Sequence, residues 1–229
     1  MSTRPGAEPA ISLIATHGYG DSAAVWSPLL GVLTGLLRAP LQAQTWDLPG
    51  HGARRADLLQ PHDIGTVTEE LRLRAGLSAR APVLLGHSLG GYLSLRCALT
   101  AGPPMRAIIL VSTGPGFRNP TARAAWNATM DRLADRLELP PGAAAIAHMT
   151  DSLVLDRLPE GRVPALVVRG GADRPEYQAG GAVVADRWPA ARLVDIPDAG
   201  HEPHRTHPAQ VASAVARFLE PDLDLGSGH

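Results

Sequence analysis

Gly86-His87-Ser88-Leu89-Gly90-Gly91 decides the reading of this chain, because the apolar run Ala81-Pro82-Val83-Leu84-Leu85 enters it and a helical pattern leaves it. A serine in Gly-x-Ser-x-Gly between strand and helix sits on a tight turn, where flanking glycines remove side chains that would otherwise clash. Such a turn holds the Ser88 hydroxyl clear of the backbone. It also aims the first amides of the following helix at an oxygen that becomes negative when the serine attacks a carbonyl. A glycine-rich turn without chemistry carries the same letters, so segments elsewhere in the chain must decide between the two.

Outward from that turn the pattern is regular. Upstream, Ala10 to Ala15 and Leu41 to Trp46 are short apolar runs bounded by turn residues, as expected of buried strands. Ser27-Pro28 opens a helix between them, and Ile64, Val67 and Leu71 mark another up to about Ala75. Downstream, Leu89 to Ala101 reads as helix and Ala107 to Val111 as strand. Asn119-Pro120 then caps a helix that carries Trp126, Met130 and Leu133 and ends by Pro140-Pro141, and a second helical pattern spans Ala143 to Leu155. Strand and helix resume with Ala165 to Arg169, Tyr177 to Trp188, Arg192 to Ile196 and Pro208 to Leu219. The expected fold is α/β, an open and mostly parallel sheet of about six strands with helices on both faces and a small helical cap. Residues 1–117 and 162–225 form the core, 118–161 the cap, and 226–229 resemble a tag remnant.

Ligands collect at the carboxyl ends of the strands in such sheets. That rim receives five loops: His17 to Gly20, Asp47 to Gly52, Gly86 to Gly91, Gly170 to Asp173 and Asp198 to His204. Ser88 needs a base, and His201, just after a strand on this rim, is well placed. His17, His51, His87, His204 and His207 compete with it. The spacing His201, His204, His207 suggests a metal set, but Pro203 and Pro208 interrupt the helix that would present it, and no metal is expected. A carboxylate must orient the imidazole. Asp173 lies at the right strand end and in the order Ser, Asp, His; Asp195 sits inside a strand and Asp198 is close in sequence to His201, which makes both weaker choices, and the lesser alternative for Asp173 is a helix cap ahead of Pro175.

Composition narrows the function further. The 21 basic residues, all arginine, balance 22 acidic ones, so no electrostatic footprint of a nucleic-acid or anionic-membrane binder exists. Cys97 is the single cysteine, which excludes an internal disulfide and fits a cytoplasmic setting. The first nine residues lack the pattern of a secretory signal, and no window has the ~20 apolar residues of a membrane span.

With these motifs together, the chain resembles the α/β-hydrolase fold superfamily over nearly its whole length. The matching segments are His17-Gly18-Tyr19-Gly20, Asp47-Leu48-Pro49-Gly50-His51-Gly52, the Ser88 turn, Gly170-Gly171-Ala172-Asp173 and Gly200-His201. The resemblance implies Ser88 as nucleophile, Asp173 as orienting acid, His201 as base, and the amides of Tyr19 and Leu89 as oxyanion hole. It also implies that His17 and Asp47 hold the oxyanion loop, and that no cofactor is needed. The chain lacks room for an antiparallel hairpin before the first strand, and its cap is short. In that respect, and around Gly116 to Asn119 and Ala199 to Arg205, it is similar to the small menaquinone-pathway lyases of the MenH type. Those enzymes carry an arginine four residues after the nucleophile, where this chain has Tyr92.

The expected activity is hydrolysis of a small carboxylic ester or thioester, as in the esterases of the superfamily. The alternatives are a MenH-type elimination, as in 2-succinyl-6-hydroxy-2,4-cyclohexadiene-1-carboxylate synthase, and a catalytically silent ligand-binding protein. Expected substrate contacts are Tyr92, Arg118, Arg123, Trp126 and Met149, with Met130 and Leu153 as further cap positions. The same apolar stripe also fits plain packing, and the two arginines also fit a solvated surface.

Overall fold

The computed structural model describes residues 9–57 and 61–222; the tag remnant expected at 226–229 lies outside them. Six strands form one sheet: β1 (Ile11–Thr16), β2 (Leu41–Trp46), β3 (Val83–His87), β4 (Ala107–Val111), β5 (Ala165–Gly170) and β6 (Ala191–Ile196). Their order is β2-β1-β3-β4-β5-β6, and every neighbouring pair is parallel. After β1 the chain adds β2 on one side and β3 on the other. The loops leaving β1 and β3 therefore diverge, and a crevice opens between them at the carboxyl edge.

The helices are α1 (Ser27–Leu36), α2 (Ile64–Gly76), α3 (Leu89–Leu99), α4 (Pro120–Arg136), α5 (Leu153–Arg157), α6 (Pro175–Arg187), α7 (Pro203–Thr206) and α8 (Pro208–Leu219). Alternation of side chains along the strands divides the interior into two cores. Leu13, Leu85, Ile109 and Val168 face α1 and α8, while Ile14, Leu84, Ile108 and Val167 face α2, α3 and α6. β3 and β4, in the middle of the sheet, are buried along their whole length. α8 inserts Val211, Val215 and Leu219, each stabilising the fold by about 1.5–3 kcal/mol if fully removed from water. No helix among the described residues is long and apolar enough to cross a membrane.

Most elements fall within two residues of their expected bounds. α2 starts on a reciprocal cap, with the Asp63 carboxylate accepting from the Thr66 N–H at 2.7 Å and the Thr66 hydroxyl accepting from the Asp63 N–H at 2.8 Å.

One expectation needs correction. The helix expected from Ala143 to Leu155 does not form. A 3-10 turn covers Ala143–Ala147, extended chain follows, and α5 holds only the end of the stretch. Its backbone is satisfied from α4 instead. Trp126 Nε1 donates to the Ala147 carbonyl at 2.9 Å, and the Asn127 amide accepts from Met149 N–H at 2.8 Å and donates to Met149 C=O at 3.2 Å. Pro203 and Pro208 do divide the stretch: each occupies the first turn of its own helix, α7 and α8, where a missing N–H costs nothing, so His201 lies ahead of α7, His207 between the two, and no single helix presents His201, His204 and His207.

Candidate active site

Ser88 joins β3 to α3 at φ 49 and ψ −109, a region that non-glycine residues rarely enter. Its N–H donates to the Val111 carbonyl at 2.9 Å and its C=O accepts from the Tyr92 N–H at 3.0 Å, so the turn is tied to β4 and to the first turn of α3. Closeness of the backbones explains two of the glycines. A Cβ on Gly86 would lie 2.3 Å from the Gly90 carbonyl, and one on Gly90 would lie 2.1 Å from the Thr16 oxygen. Gly90 thus lets the start of α3 press against the end of β1 at Thr16 and His17.

His201 lies on the neighbouring loop after β6. Its Nδ1 donates to Asp173 Oδ2 at 2.8 Å, which fixes the tautomer and leaves Nε2 free to accept a proton. The carboxylate is nearly fully buried, and its other oxygen accepts the Arg174 N–H at 2.7 Å. Asp195 is spent on Arg169, which it meets through two bonds of 2.8 and 2.9 Å. Tyr177, one turn beyond Asp173, lays its ring 4.3 Å from that of His201. Arg174 covers the outer face of Tyr177 at 4.6 Å and donates to its hydroxyl at 2.7 Å. Ser88 Oγ makes no hydrogen bond to His201 in this structure.

The other rim histidines are occupied or enclosed. His17 Nδ1 donates to the Gly18 carbonyl at 2.7 Å and its Nε2 accepts from the Leu48 N–H at 3.0 Å, so it braces two loops. Asp47 does the same work beside it, accepting from Ala23 N–H at 2.6 Å and Ala53 N–H at 2.8 Å. His87 turns away from the Ser88 hydroxyl and donates through Nε2 to the His201 carbonyl at 3.0 Å. His204 is fully buried, stacked 4.7 Å from Trp26 and 4.3 Å from His87. Burial pushes all these rings down: His17 below its ordinary value, His87 well below it, His51 to about 4 and His204 to about 3. They are neutral near pH 7 and already placed, whereas His201 is half-exposed; His207, also on the rim, meets Thr206 Oγ1 through Nδ1 at 2.8 Å. No group of three or more His, Cys, Asp or Glu able to hold a metal is found among the described residues.

The amides of Leu89, at the start of α3, and Tyr19, in the loop after β1, lie at these two strand ends. The Tyr19 side chain reaches α4, donating from its hydroxyl to the Met130 carbonyl at 3.4 Å, and packs its ring 5.2 Å from His51.

Beside Ser88 opens a cavity of about 310 Å³. Ser88, Leu89, Tyr92, Trp126 and Met149 line it, together with Pro115, Phe117, Thr129 and Ser112, Arg174 just ahead of α6, and Glu176 and Tyr177 in α6. Its surface is mostly apolar. Arg118 and Arg123 do not line it: Arg118 pairs with Asp156 at 2.7 Å on the surface, and Arg123 donates to the carbonyls of Phe117 and Arg118 at 3.1 and 2.6 Å. Met130 and Leu153 pack against the core instead. Ser112 and Tyr177 were not anticipated from sequence. The loop after β4 belongs to the same rim as the five named, and Tyr177 stands four residues beyond Asp173 on a helix opened by Pro175; both positions carried a signal.

Comparison with known proteins follows this geometry. The model of a family described as the alpha/beta hydrolase family matches residues 13–214. The chain is 30% identical over 261 residues to polyketide synthase ThaQ of Burkholderia thailandensis, covering 96% of this chain but only 12% of that protein. It is 29% identical over 253 residues to the pimeloyl-[acyl-carrier protein] methyl ester esterase of Xanthomonas campestris, covering 91% of this chain and 94% of the relative. Among solved structures, MenH from S. aureus superposes with a TM-score of 0.79 at 20% identity, over 93% of this chain and 95% of that one.

Proposed function

Because the chain belongs to the alpha/beta hydrolase family, we propose that it is a serine hydrolase that cleaves a small carboxylic ester or thioester through an acyl-enzyme on Ser88. The observation that carries this reading is the Asp173–His201 hydrogen bond of 2.8 Å on the rim shared with Ser88 and the cavity beside it.

In this mechanism His201 Nε2 takes the proton from Ser88 Oγ as the oxygen attacks the ester carbonyl. Asp173 holds the opposite nitrogen and stabilises the imidazolium. The amides of Leu89 and Tyr19 receive the negative oxygen of the tetrahedral intermediate, a contribution of about 3–4 kcal/mol per donor where it has been removed in comparable sites. The proton then passes from His201 to the departing alcohol or thiol, which breaks the ester bond. Water, deprotonated by the same ring, releases the acid and restores Ser88.

We take residues 118–161 as the cap that forms the outer wall. The apolar wall of Phe117, Trp126 and Met149 accommodates the acyl chain. A non-hydrolytic elimination by the same Ser88 and His201 is the second reading. It is weakened by Tyr92, which is buried and supplies no cation where an elimination from a carboxylate-rich substrate would need one.

A fluorophosphonate probe tests the assignment. It should label Ser88 stoichiometrically, and p-nitrophenyl acetate should give a burst of alcohol with an acyl group on Ser88 by mass spectrometry. A series of acyl esters of graded length, including an ester carried on an acyl-carrier protein as named for the Xanthomonas relative, then ranks substrates. Absence of any adduct, together with turnover of an elimination substrate, would establish the lyase instead.

A further inference from the structure

β3 and β4 run side by side with His87 opposite Val111, and each is followed at once by a serine in the left-handed region. Ser88 and Ser112 have the same φ of 49. A non-glycine residue held there costs of order 1–3 kcal/mol and persists only where its surroundings impose it, which happens mostly at functional sites. Ser88 has a use for the turn. Ser112 has none in the mechanism above.

Structure alone does not explain a serine at this position. The Ser112 N–H donates to the Val168 carbonyl at 2.8 Å, and Thr113 Oγ1 donates to Val111 C=O at 3.1 Å and Ser88 C=O at 3.3 Å. Those bonds fix the turn without the Ser112 side chain. Glycine would hold the same φ without strain, and alanine would leave no hydroxyl unpaired. Yet Ser112 is 4% exposed and its Oγ has no hydrogen-bond partner among the described residues, which costs about 1–3 kcal/mol more. It also lines the cavity that adjoins Ser88.

We infer that Ser112 is a substrate-binding residue whose hydroxyl hydrogen-bonds a hydroxyl or keto oxygen on the second or third carbon of the acyl group held at Ser88. The inference rests on Ser88 as the acylated residue. Adjacent strands are about 4.8 Å apart, so a group on the neighbouring strand end meets acyl carbons one or two bonds from the carbonyl. The Ser112 Oγ is buried in its present rotamer, and the proposal places it one staggered well away about Cα–Cβ, facing the cavity that the residue lines. A serine hydroxyl both donates and accepts, so it serves either oxygen function. Several other polar side chains of the wall are engaged: Thr129 donates to the Ala125 carbonyl at 2.8 Å, Arg174 to Tyr177 at 2.7 Å, and Glu176 meets Arg174 at 3.7 Å. Leu89, Met149 and Phe117, which also line the cavity, are apolar.

The test compares p-nitrophenyl esters of butyrate, 2-hydroxybutyrate and 3-hydroxybutyrate. Wild type should favour at least one hydroxy ester over butyrate in kcat/KM, and Ser112→Ala should lower that ratio about tenfold, the worth of one lost hydrogen bond. Ser112→Gly should lower the ratio equally while raising Tm, because glycine relaxes the strained φ; this variant removes misfolding as an explanation. An unchanged ratio in both variants, or a wild type indifferent to both hydroxyl groups, overturns the proposal while leaving Ser88 acylation intact. Binding to Ser88→Ala gives a readout without catalysis. The favoured hydroxy ester should bind more tightly than the butyrate ester by calorimetry, and Ser88→Ala/Ser112→Ala should erase the difference. Equal binding in Ser88→Ala would refute the contact, whereas intact discrimination without any acyl adduct on the wild type would refute the hydrolase reading alone.

Discussion

His204 makes the fold sensitive to acid by an amount that its surroundings set. The ring is enclosed between Trp26 and His87, both nitrogens lack partners among the described residues, and burial, with smaller contributions from Arg205 and His201, lowers its pKa to about 3. In the unfolded chain the same group titrates near 6.5. Between those values the unfolded state binds the extra proton, so the stability is complete above about pH 6.5 and is lost as pH falls toward 3. At pH 5 the unfolded state gains about 1.5 pH units of protonation free energy, or about 2 kcal/mol at 1.36 kcal/mol per unit. For a domain of this size that lowers Tm by about 4–8 °C. His204→Phe keeps an aromatic ring between the same neighbours and cannot titrate. Urea unfolding of both proteins at pH 7.5 and pH 5 isolates the contribution, since His17 and His51 titrate alike in each and burial, the largest cause holding His87 down, is kept by the phenyl ring. Wild type should lose about 2 kcal/mol more than the variant between the two pH values; equal losses would show that His204 is not held neutral by burial.

Four further outcomes follow from the site. Ser88→Ala should leave the far-UV spectrum unchanged and lower ester turnover by 10⁴-fold or more, as loss of a triad nucleophile does; wild-type rates in that protein would remove Ser88 from the chemistry. Asp173→Asn should lower kcat by about 10⁴-fold with little change in Tm, because the amide no longer stabilises the imidazolium and favours the wrong tautomer; a larger loss in Asp198→Asn would place the acid on the other loop. Tyr177→Leu should reduce kcat tenfold or so by freeing the His201 ring, whereas Tyr177→Phe, which keeps the 4.3 Å stack, should stay within about threefold; identical losses in the two would assign the effect to the hydroxyl. Gly90→Ala drives a Cβ to 2.1 Å from the Thr16 oxygen, so it should destabilise by about 1–3 kcal/mol and slow acylation through the displaced Tyr19 loop; an unshifted urea midpoint would show that α3 and β1 part easily.

Two kinds of information were legible at different levels. Runs such as Val83-Leu84-Leu85 and Ile108-Ile109-Leu110 are apolar on both sides, and that alone assigns them to the middle of a parallel sheet. Turn glycines and the first-turn proline of α1 were equally readable, because each answers a local steric or hydrogen-bonding need. The order Ser88, Asp173, His201 and their placement at strand ends came from the same local patterns.

Tertiary structure alone decided the rest. Residues 143 to 152 have helical spacing, yet Trp126 and Asn127 from α4 take up the backbone of Ala147 and Met149, and nothing within the stretch announces partners some twenty residues away. Six rim positions carry a histidine chemically suited to act as base, and only packing shows that His17 braces a loop, His87 points at the His201 carbonyl and His204 is enclosed. Arg118 and Arg123 are chemically suited to an anion, but their guanidinium groups are spent on Asp156 and on backbone carbonyls. Ser112 reads as an ordinary strand end until β4 is laid beside β3 and its φ, burial and unpaired oxygen become visible together. Local rules determine which segments become strand, helix or turn, because each residue's backbone preference acts over a few neighbours. Which side chain faces Ser88 depends instead on contacts between residues far apart in the chain, and those exist only once the sheet has closed into register.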